Sequence, residues 1–192
     1  MITFEFDEYY KKKYKSFCGC DEVGRGPIAG PVVACSVIVN DEFISGVNDS
    51  KKISLKKREI LSELITSKYT YALGEASVKE IEEINILNAT ILAIKRAIAS
   101  LPKTPEVMLI DGNMKFLNPR YINIIKGDQK SYSIACASIV AKVYRDNLMK
   151  KLSVEYPEYG WDHNAGYGTK KHIDAINKFG ITKHHRKNFI HI

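Results

Sequence analysis

Four acidic residues stand close to the places where predicted strands end. They are Asp21, Glu22, Asp111 and Asp128. A lone acid at the end of a strand usually forms a turn. Several carboxylates at one edge of a sheet repel one another unless cations neutralise them, and hard oxygen ligands select Mg²⁺ or Mn²⁺. The pattern therefore leaves two interpretations open, turn-forming acids and a metal site for phosphoryl transfer.

The chemistry that such a metal site could perform is phosphodiester cleavage. Two ions about 4 Å apart can activate a water and stabilise the leaving oxygen. Successive side chains of a strand point to opposite faces, so Asp21 and Glu22 can both bind metal only where the strand ends or bends. Val23 and Gly24, which come directly after them, supply such a bend.

The glycine-rich stretch GRGPIAG follows the two acids and could be mistaken for a nucleotide-binding loop. A dinucleotide fingerprint needs a helix after the glycines, whereas this stretch leads into the β-branched run PVVACSVIV. The adjacent carboxylates would also repel a pyrophosphate. What remains is a tight turn in which Gly24 and Gly26 let the backbone approach a ligand and Arg25 can donate to a phosphate. An ordinary hairpin turn with a solvated arginine is the alternative.

Hydrophobic patterns predict a mixed α/β sheet that would position these residues. The predicted strands span residues 17–22, 31–39, 69–78, 105–112 and 120–128. The predicted helices span residues 54–67, 78–101, 131–157 and 169–180. The second of these helices has apolar residues at intervals of three and four that should form one packed face, namely Ile84, Leu87, Ile91, Ile94 and Ile98.

The composition favours a globular protein with a polyanionic partner. The chain has 192 residues, of which 45% are apolar, and its net charge is +7. No apolar stretch approaches the roughly 20 residues that span a bilayer, and the first residues lack a signal-peptide pattern. We expect a cytoplasmic protein without membrane attachment, whose four cysteines are small core residues in a reducing compartment.

Seven motifs spread over residues 17–189 carry a family resemblance. In chain order they are DEVGRGPIAGPVVA, NDSKKIS, INILNATILAI, LIDGN, IIKGDQKSYSIACASIVAKVYRD, GYGTKKH and HHRKNF. Together they resemble the ribonuclease HII family, the type 2 ribonucleases H, and the first motif matches that family's signature nearly residue for residue. The type 3 enzymes resemble this chain less, because their loop carries Lys at the position of Arg25.

The resemblance implies a fold and a domain organisation. We expect a ribonuclease H-like mixed five-stranded sheet flanked by helices, with a small helical C-terminal appendage. Residues 1–156 would form the catalytic domain. Residues 157–192 would form a helical and basic segment that packs on this domain and contacts substrate.

The resemblance also implies an activity, the endonucleolytic cleavage of RNA in RNA–DNA hybrids and of single ribonucleotides in duplex DNA. The cut would lie 5′ to the ribonucleotide and leave a 3′-hydroxyl and a 5′-phosphate. By motif, the catalytic and metal-binding acids would be Asp21, Glu22, Asp111 and Asp128, and the cofactor would be Mg²⁺ or Mn²⁺ in a two-metal-ion mechanism.

Substrate contacts follow from the same motifs. Gly24, Arg25 and Gly26 resemble a reader of the 2′-hydroxyl at the RNA–DNA junction. This hydroxyl distinguishes a ribonucleotide sugar from a deoxyribonucleotide sugar, and backbone groups of a glycine loop can hydrogen-bond to it. Tyr167 matches the family's tyrosine beside the junction. Lys51 and Lys52 lie in the matching NDSKK motif and could contact phosphate, although a solvated face is nearly as good an interpretation.

Other polar residues stay ambiguous at this level. Arg145 could bind phosphate or pair with a neighbouring acid, and Asp49 is better explained as a turn residue than as a ligand. The five histidines tempt a metal interpretation, but adjacent His184 and His185 lie in a basic tail, where phosphate contact or exposure is expected.

The chain departs from the family pattern at two places. The stretch around Trp161 and Asp162 is less basic than is common in the family, which affects local substrate contacts but not the acids. The sequence stops at Ile192 without an extended tail that could carry a sliding-clamp motif. We expect a monomer whose partners are RNA–DNA hybrids and ribonucleotide-containing DNA duplexes.

Two other functions compete with this hypothesis. A non-catalytic binder of structured nucleic acid would explain the basic charge, but acids at three strand ends would repel phosphate without metal. A nuclease of the same broad fold acting on branched DNA would not need a 2′-hydroxyl, so the loop at Arg25 discriminates between the two enzymes.

Overall fold

The structure, a computed structural model, describes residues 2–190 and contains one five-stranded mixed sheet. Its strands are β1 (Phe17–Val23), β2 (Val32–Ile38), β3 (Thr70–Ala76), β4 (Val107–Asp111) and β5 (Tyr121–Ile124). They lie in the order β3-β2-β1-β4-β5. The strands β1, β2 and β3 pair antiparallel, whereas β4 runs parallel to both β1 and β5. The predicted mixed five-stranded sheet is confirmed.

Six helices surround the sheet in the described part of the chain. They are α1 (Glu5–Lys13), α2 (Leu55–Lys68), α3 (Val78–Ala99), α4 (Tyr132–Glu155), α5 (Trp161–Asn164) and α6 (Lys170–Phe179). The sequence patterns predicted four of them and missed α1 and the single turn α5. Helix α1 has few apolar residues and is largely exposed, so it leaves little hydrophobic periodicity to detect.

The two longest helices cover opposite faces of the sheet. Helix α3 packs over Cys20 and Ala34, whereas α4 packs over Cys35 and Val37, which point the other way because side chains alternate along a strand. All four cysteines are buried and free, which confirms their prediction as core residues. The small residues of α4 are buried where this helix packs on the sheet, namely Ala135, Ala137, Ser138 and Ala141.

The prediction of one continuous apolar face on α3 is wrong. Asn85 has φ 66° and ψ 166°, so the helix is broken and its two parts face the sheet with different sets of residues. Ile84 and Leu87 consequently lie exposed, at 37% and 45%, while Ile81 and Ala89 are buried. Ile94 and Ile98, beyond the break, are buried as predicted.

The predicted fifth strand is too long, and Asp128 does not end it. Strand β5 stops at Ile124, and Asp128 lies in a separate short 3₁₀ turn, Gly127–Gln129. Lys126 adopts the left-handed conformation at φ 56°, which turns the chain between the strand and the acid.

The C-terminal part of the chain packs on the rest through a small aromatic cluster. Trp161, Tyr159 and Ile176 are buried there against Ile28 and Met149. Met149 belongs to helix α4, so this cluster joins the two sides of the division expected at residue 156. That division stays a prediction. No helix within residues 2–190 combines the length and apolar character needed to cross a membrane.

We expect Gly19→Ala to destabilise the fold strongly. A Cβ on Gly19 would overlap the backbone of Ser133 and Ile134 at the start of α4, so the helix would have to move off the sheet. The free energy of unfolding, measured by urea denaturation, should fall by roughly 1–3 kcal/mol. Gly168→Ala is the control, because its Cβ would make only ordinary contacts with Ile28. Equal stability of the two variants would contradict this account of how α4 meets β1.

Candidate active site

Parallel pairing of β1 and β4 brings two of the predicted acids to one end of the sheet. Cys20 lies opposite Ile110, so Asp21 and Asp111, the next residue on each strand, lie side by side. Asp111 also holds the turn that carries Asp128, because its Oδ1 accepts hydrogen bonds from the amides of Gly127 at 2.6 Å and Asp128 at 3.3 Å. The structure therefore brings these three acids to the same edge.

Glu22 joins this edge where β1 ends. The strand stops at Val23, and Gly24 has φ 95°, which is the predicted bend. The carboxylate of Glu22 is only 12% exposed, and its Oε1 lies 3.5 Å from Nη1 of Arg25. Its Oε2 is buried without a hydrogen-bond partner among residues 2–190. An unpaired buried carboxylate oxygen is a place where a cation would be stabilised.

Burial and mutual repulsion disturb the protonation of these acids. Burial raises the pKa of Asp21 well above its usual range, and the charges of Glu22 and Asp111 raise it further, against a hydrogen bond from Ser138. Burial also raises the pKa of Glu22, although Arg25 acts in the opposite direction. A cation at this edge would favour the ionised forms of both carboxyls.

Asp128 lies among charged groups of both signs. Burial raises the pKa of its carboxyl, as do the charges of Asp111 and Asp49, while Lys51 and Lys52 lower it. Both lysines are exposed on the 3₁₀ turn Ser50–Lys52, and Asp49 caps that turn by accepting from the amide of Lys51 at 3.0 Å. Asp49 is thus the turn residue that was expected, and the two lysines lie beside the acid edge with their side chains in solvent.

The donor set of this edge suits a hard divalent cation. All four candidate ligands are carboxylates, and Mg²⁺ and Mn²⁺ prefer oxygen and retain several waters. Within the described residues, no three His, Cys, Asp or Glu side chains stand close enough to enclose an ion by themselves. An ion here would therefore be completed by water and by oxygens of a ligand.

The glycine loop lies beside the acids and touches Tyr167. Gly24 is buried, and its backbone adopts the left-handed conformation. A Cβ on Gly24 would overlap the side chain of Arg145. Gly26 is exposed, and a Cβ on it would lie 3.5 Å from Cε1 of Tyr167. The ring of Tyr167 is itself 48% exposed. The structure therefore groups the predicted loop and the predicted tyrosine on one accessible surface.

Two fully buried arginines, Arg145 and Arg186, donate to carbonyls in and next to the glycine loop, and the sequence patterns did not predict their burial. Arg186 donates to the carbonyls of Gly24, Arg25, Pro27 and Gly30. It stands in the basic run KHHRK, which predicts a solvated tail, yet it is 0% exposed.

Arg145 contradicts both of its predicted roles. Its buried guanidinium donates to the carbonyls of Ala29, Pro31 and Ala165, so it is not free to bind phosphate, and it forms no ion pair with an acid among residues 2–190. Asp146 pairs instead with Arg58 at 3.5 Å and Lys142 at 2.7 Å.

The histidines of the C-terminal part are mostly structural. His185 is 1% exposed, which overturns the expectation that it contacts phosphate or solvent. Its Nε2 lies 3.1 Å from Nε2 of His172, which also accepts from Nε1 of Trp161 at 3.0 Å. The Nδ1 of His172 lies 2.9 Å from the carbonyl of Tyr167. His184 is partly buried, and His191 lies outside the described residues.

Sheet order and helix placement define a ribonuclease H-like fold, which solved structures share. The ribonuclease H2 from Pyrococcus horikoshii OT3 superposes with a TM-score of 0.72 at 26% identity, over 90% of this chain and 93% of that one. Bst-RNase HIII in complex with Mn²⁺ superposes with a TM-score of 0.68 over 91% of this chain and 67% of that one. Its 20% identity supports the fold alone.

Sequence comparison then gives the family. The family model for ribonuclease HII matches residues 18–192. Ribonuclease HII of Rickettsia africae is 54% identical over 184 residues, which are 94% of this chain and 95% of that protein. The Rickettsia canadensis protein is 54% identical over 183 residues, 94% of this chain and 93% of that one. The chain belongs to the ribonuclease HII family, whose activity is that of a ribonuclease H on nucleic acid.

We expect Asp21→Asn to stabilise the protein in chelator and to reduce its stabilisation by Mg²⁺. The change removes a carboxyl whose ionisation is opposed by burial and by the charges of Glu22 and Asp111, so the apo protein should melt at a higher temperature. A ligand that binds the folded state raises its stability, and the wild type should gain more from millimolar Mg²⁺ than the variant. Thermal melts with and without chelator measure both effects. An equal Mg²⁺ shift in both proteins would exclude Asp21 from the metal site.

Proposed function

We propose that this protein is a metal-dependent endonuclease that hydrolyses the RNA strand of RNA–DNA hybrids and cuts 5′ to single ribonucleotides in duplex DNA. The observation that supports this proposal is the contact between the acid edge and the glycine loop, where Nη1 of Arg25 lies 3.5 Å from Oε1 of Glu22. A phosphate at the acids and a ribose at the loop can therefore belong to neighbouring positions of one strand. Products would carry a 3′-hydroxyl and a 5′-phosphate.

In this proposal the four acids hold the cofactor. Asp21, Glu22, Asp111 and Asp128 would bind Mg²⁺ or Mn²⁺, which supplies a nucleophilic water and neutralises charge on the phosphate. Backbone amides already orient two of these carboxylates, since Glu22 donates to Oδ1 of Asp21 at 2.7 Å, and Gly127 and Asp128 donate to Oδ1 of Asp111. Lys51 and Lys52, exposed beside Asp128, would contact phosphates of the bound strand.

The glycine loop and Tyr167 would read the sugar. Arg25 and Gly26 are exposed, so their backbone can approach a sugar without an intervening side chain at Gly26. The half-exposed ring of Tyr167 lies against Gly26 and offers an apolar face for stacking. Since the 2′-hydroxyl distinguishes the two sugars, a loop built of backbone donors provides the required discrimination.

A cleavage assay tests the proposal. The substrate is a labelled DNA duplex with one ribonucleotide, incubated with Mg²⁺, with Mn²⁺ and with chelator, and the control is the same duplex without the ribonucleotide. We expect metal-dependent nicking of the first duplex alone. Tight binding of both duplexes without nicking would favour a non-catalytic binder. Nicking of branched DNA without a ribonucleotide would favour the other nuclease.

Asp21→Asn should abolish turnover and leave duplex binding intact. Loss of one ligand carboxylate should lower kcat by roughly 10²-fold or more, because charge stabilisation in the transition state is lost. Asp174→Asn is the matched control, since Asp174 is exposed and, among residues 2–190, pairs only with Lys170 on helix α6. Single-turnover cleavage and filter binding measure the two quantities. Wild-type turnover in Asp21→Asn would refute the assignment of the acids.

Gly26→Ala should impair substrate recognition without destabilising the protein. Its Cβ would make an ordinary 3.5 Å contact with Tyr167, so the melting temperature should hardly change. The added methyl would stand between the loop and the sugar, and we expect kcat/KM on the single-ribonucleotide duplex to fall by about tenfold or more. Gly24→Ala provides the contrast, because its positive φ and its overlap with Arg145 should lower stability. Unchanged kcat/KM in Gly26→Ala would exclude this loop as the ribose reader.

A further inference from the structure

Arg186 is a buried cation whose hydrogen bonds go to backbone carbonyls of one loop. Its Nη2 donates to Gly24 at 2.6 Å, its Nη1 to Arg25 at 3.1 Å and to Pro27 at 2.8 Å, and its Nε to Gly30 at 2.8 Å. Among residues 2–190, no carboxylate lies within 4.0 Å of its guanidinium. The positive charge is therefore stabilised by carbonyl dipoles and by the ring of Phe189, whose centroid lies 5.3 Å from Cζ of Arg186.

Turning carbonyls inward also fixes where the amides point. The described peptides are all trans, and in a trans peptide the C=O of one residue and the N–H of the next point in opposite directions. Because the carbonyls of Gly24 and Arg25 face Arg186, the amides of Arg25 and Gly26 face away from it. Both residues are exposed, and neither amide donates to an acceptor within the described chain.

The amides at the other end of the loop are already used. Ile28 and Ala29 donate to the carbonyl of Gly166, at 2.9 and 3.2 Å, and Gly30 donates to His184 at 2.8 Å. Arg186 itself is fixed, because its amide donates to the carbonyl of Ile28 at 2.8 Å. Between Arg25 and Gly30, the described structure therefore leaves two adjacent donors without an acceptor, the amides of Arg25 and Gly26.

We propose that Arg186 is a positioning residue for sugar discrimination, because its four hydrogen bonds hold the peptides of the glycine loop so that the amides of Arg25 and Gly26 point at a ribose 2′-oxygen. This proposal rests on the proposed function of the loop. A planar guanidinium has five donors in a fixed arrangement, whereas a lysine ammonium has three at one point and cannot reach all four carbonyls. Arg186→Lys keeps the charge and loosens the loop.

Arg145 offers a matched control. It is equally buried and also donates to three carbonyls, but these belong to Ala29, Pro31 and Ala165. It packs under Gly24 without hydrogen-bonding to it. Arg145→Lys should thus weaken the fold in the same way without releasing the peptides at Arg25 and Gly26.

The first experiment needs no substrate. Amide chemical shifts of the free protein should change most at residues 25 and 26 in Arg186→Lys. In Arg145→Lys they should change most at residues 30, 32 and 166, whose amides belong to the peptides that Arg145 holds. Unchanged amides at Arg25 and Gly26 in Arg186→Lys would overturn the proposal. If Arg186→Lys does not fold, the wild type tests whether the amides of Arg25 and Gly26 contact the ribose. Its Arg25 and Gly26 amides should shift on addition of a single-ribonucleotide duplex and not of an all-DNA duplex, and equal shifts would refute the proposal.

The second experiment measures discrimination itself. Dissociation constants for an all-DNA duplex and for the same duplex with one ribonucleotide are determined in chelator, so that no cleavage occurs. The dissociation constant of the all-DNA duplex, divided by that of the duplex with one ribonucleotide, measures the preference for ribose. This ratio should fall about tenfold in Arg186→Lys and stay at the wild-type value in Arg145→Lys, because general destabilisation affects both duplexes equally. A wild-type ratio in Arg186→Lys would overturn the proposal. A wild type without any preference would instead refute the ribose-reading function, and the shifts of the free protein would still report on the role of Arg186.

Discussion

The pairing of β1 with β4 is the constraint on which the rest of the site depends. Only this long-range, parallel register places Asp21 beside Asp111, and Asp111 then fixes the turn of Asp128 through two amides. The arrangement is unfavourable in the absence of a cation, since burial and mutual repulsion raise the pKa of Asp21 and of Glu22. The core that packs on both faces of the sheet supplies the stability that this acid edge removes.

The glycine loop poses a second problem, because its carbonyls are buried and need donors. Arg145 and Arg186 provide them, one from helix α4 and one from the C-terminal part of the chain. Buried carbonyls without partners would be costly, so the loop and the C-terminal residues must fold together. The pair of His172 and His185 ties the same region to the carbonyl of Tyr167. Recognition and folding therefore share one hydrogen-bond network.

The sequence predicted much of the sheet and the neighbourhood of the acids, because strand ends and apolar runs are local signals. It failed where the decisive interaction is long-range. The break at Asn85 moves Ile84 and Leu87 to the surface, and a hydrophobic pattern contains no sign of it. A basic run predicts a solvated tail, so it could not show that Arg186 is buried against carbonyls more than a hundred residues earlier in the chain. The position of Asp128 depended on the left-handed Lys126, which no residue preference required.

The central claim is that the acid edge and the glycine loop engage one nucleotide and its neighbouring phosphate. The most direct test moves a single ribonucleotide along one duplex sequence, one position at a time, and maps each cut at nucleotide resolution with Mg²⁺ present. If the loop reads the sugar while the acids hold the adjacent phosphate, the cut moves in step with the ribonucleotide and stays on its 5′ side. A cut that remains at one place in the sequence, or scatters independently of the ribonucleotide, would contradict the account.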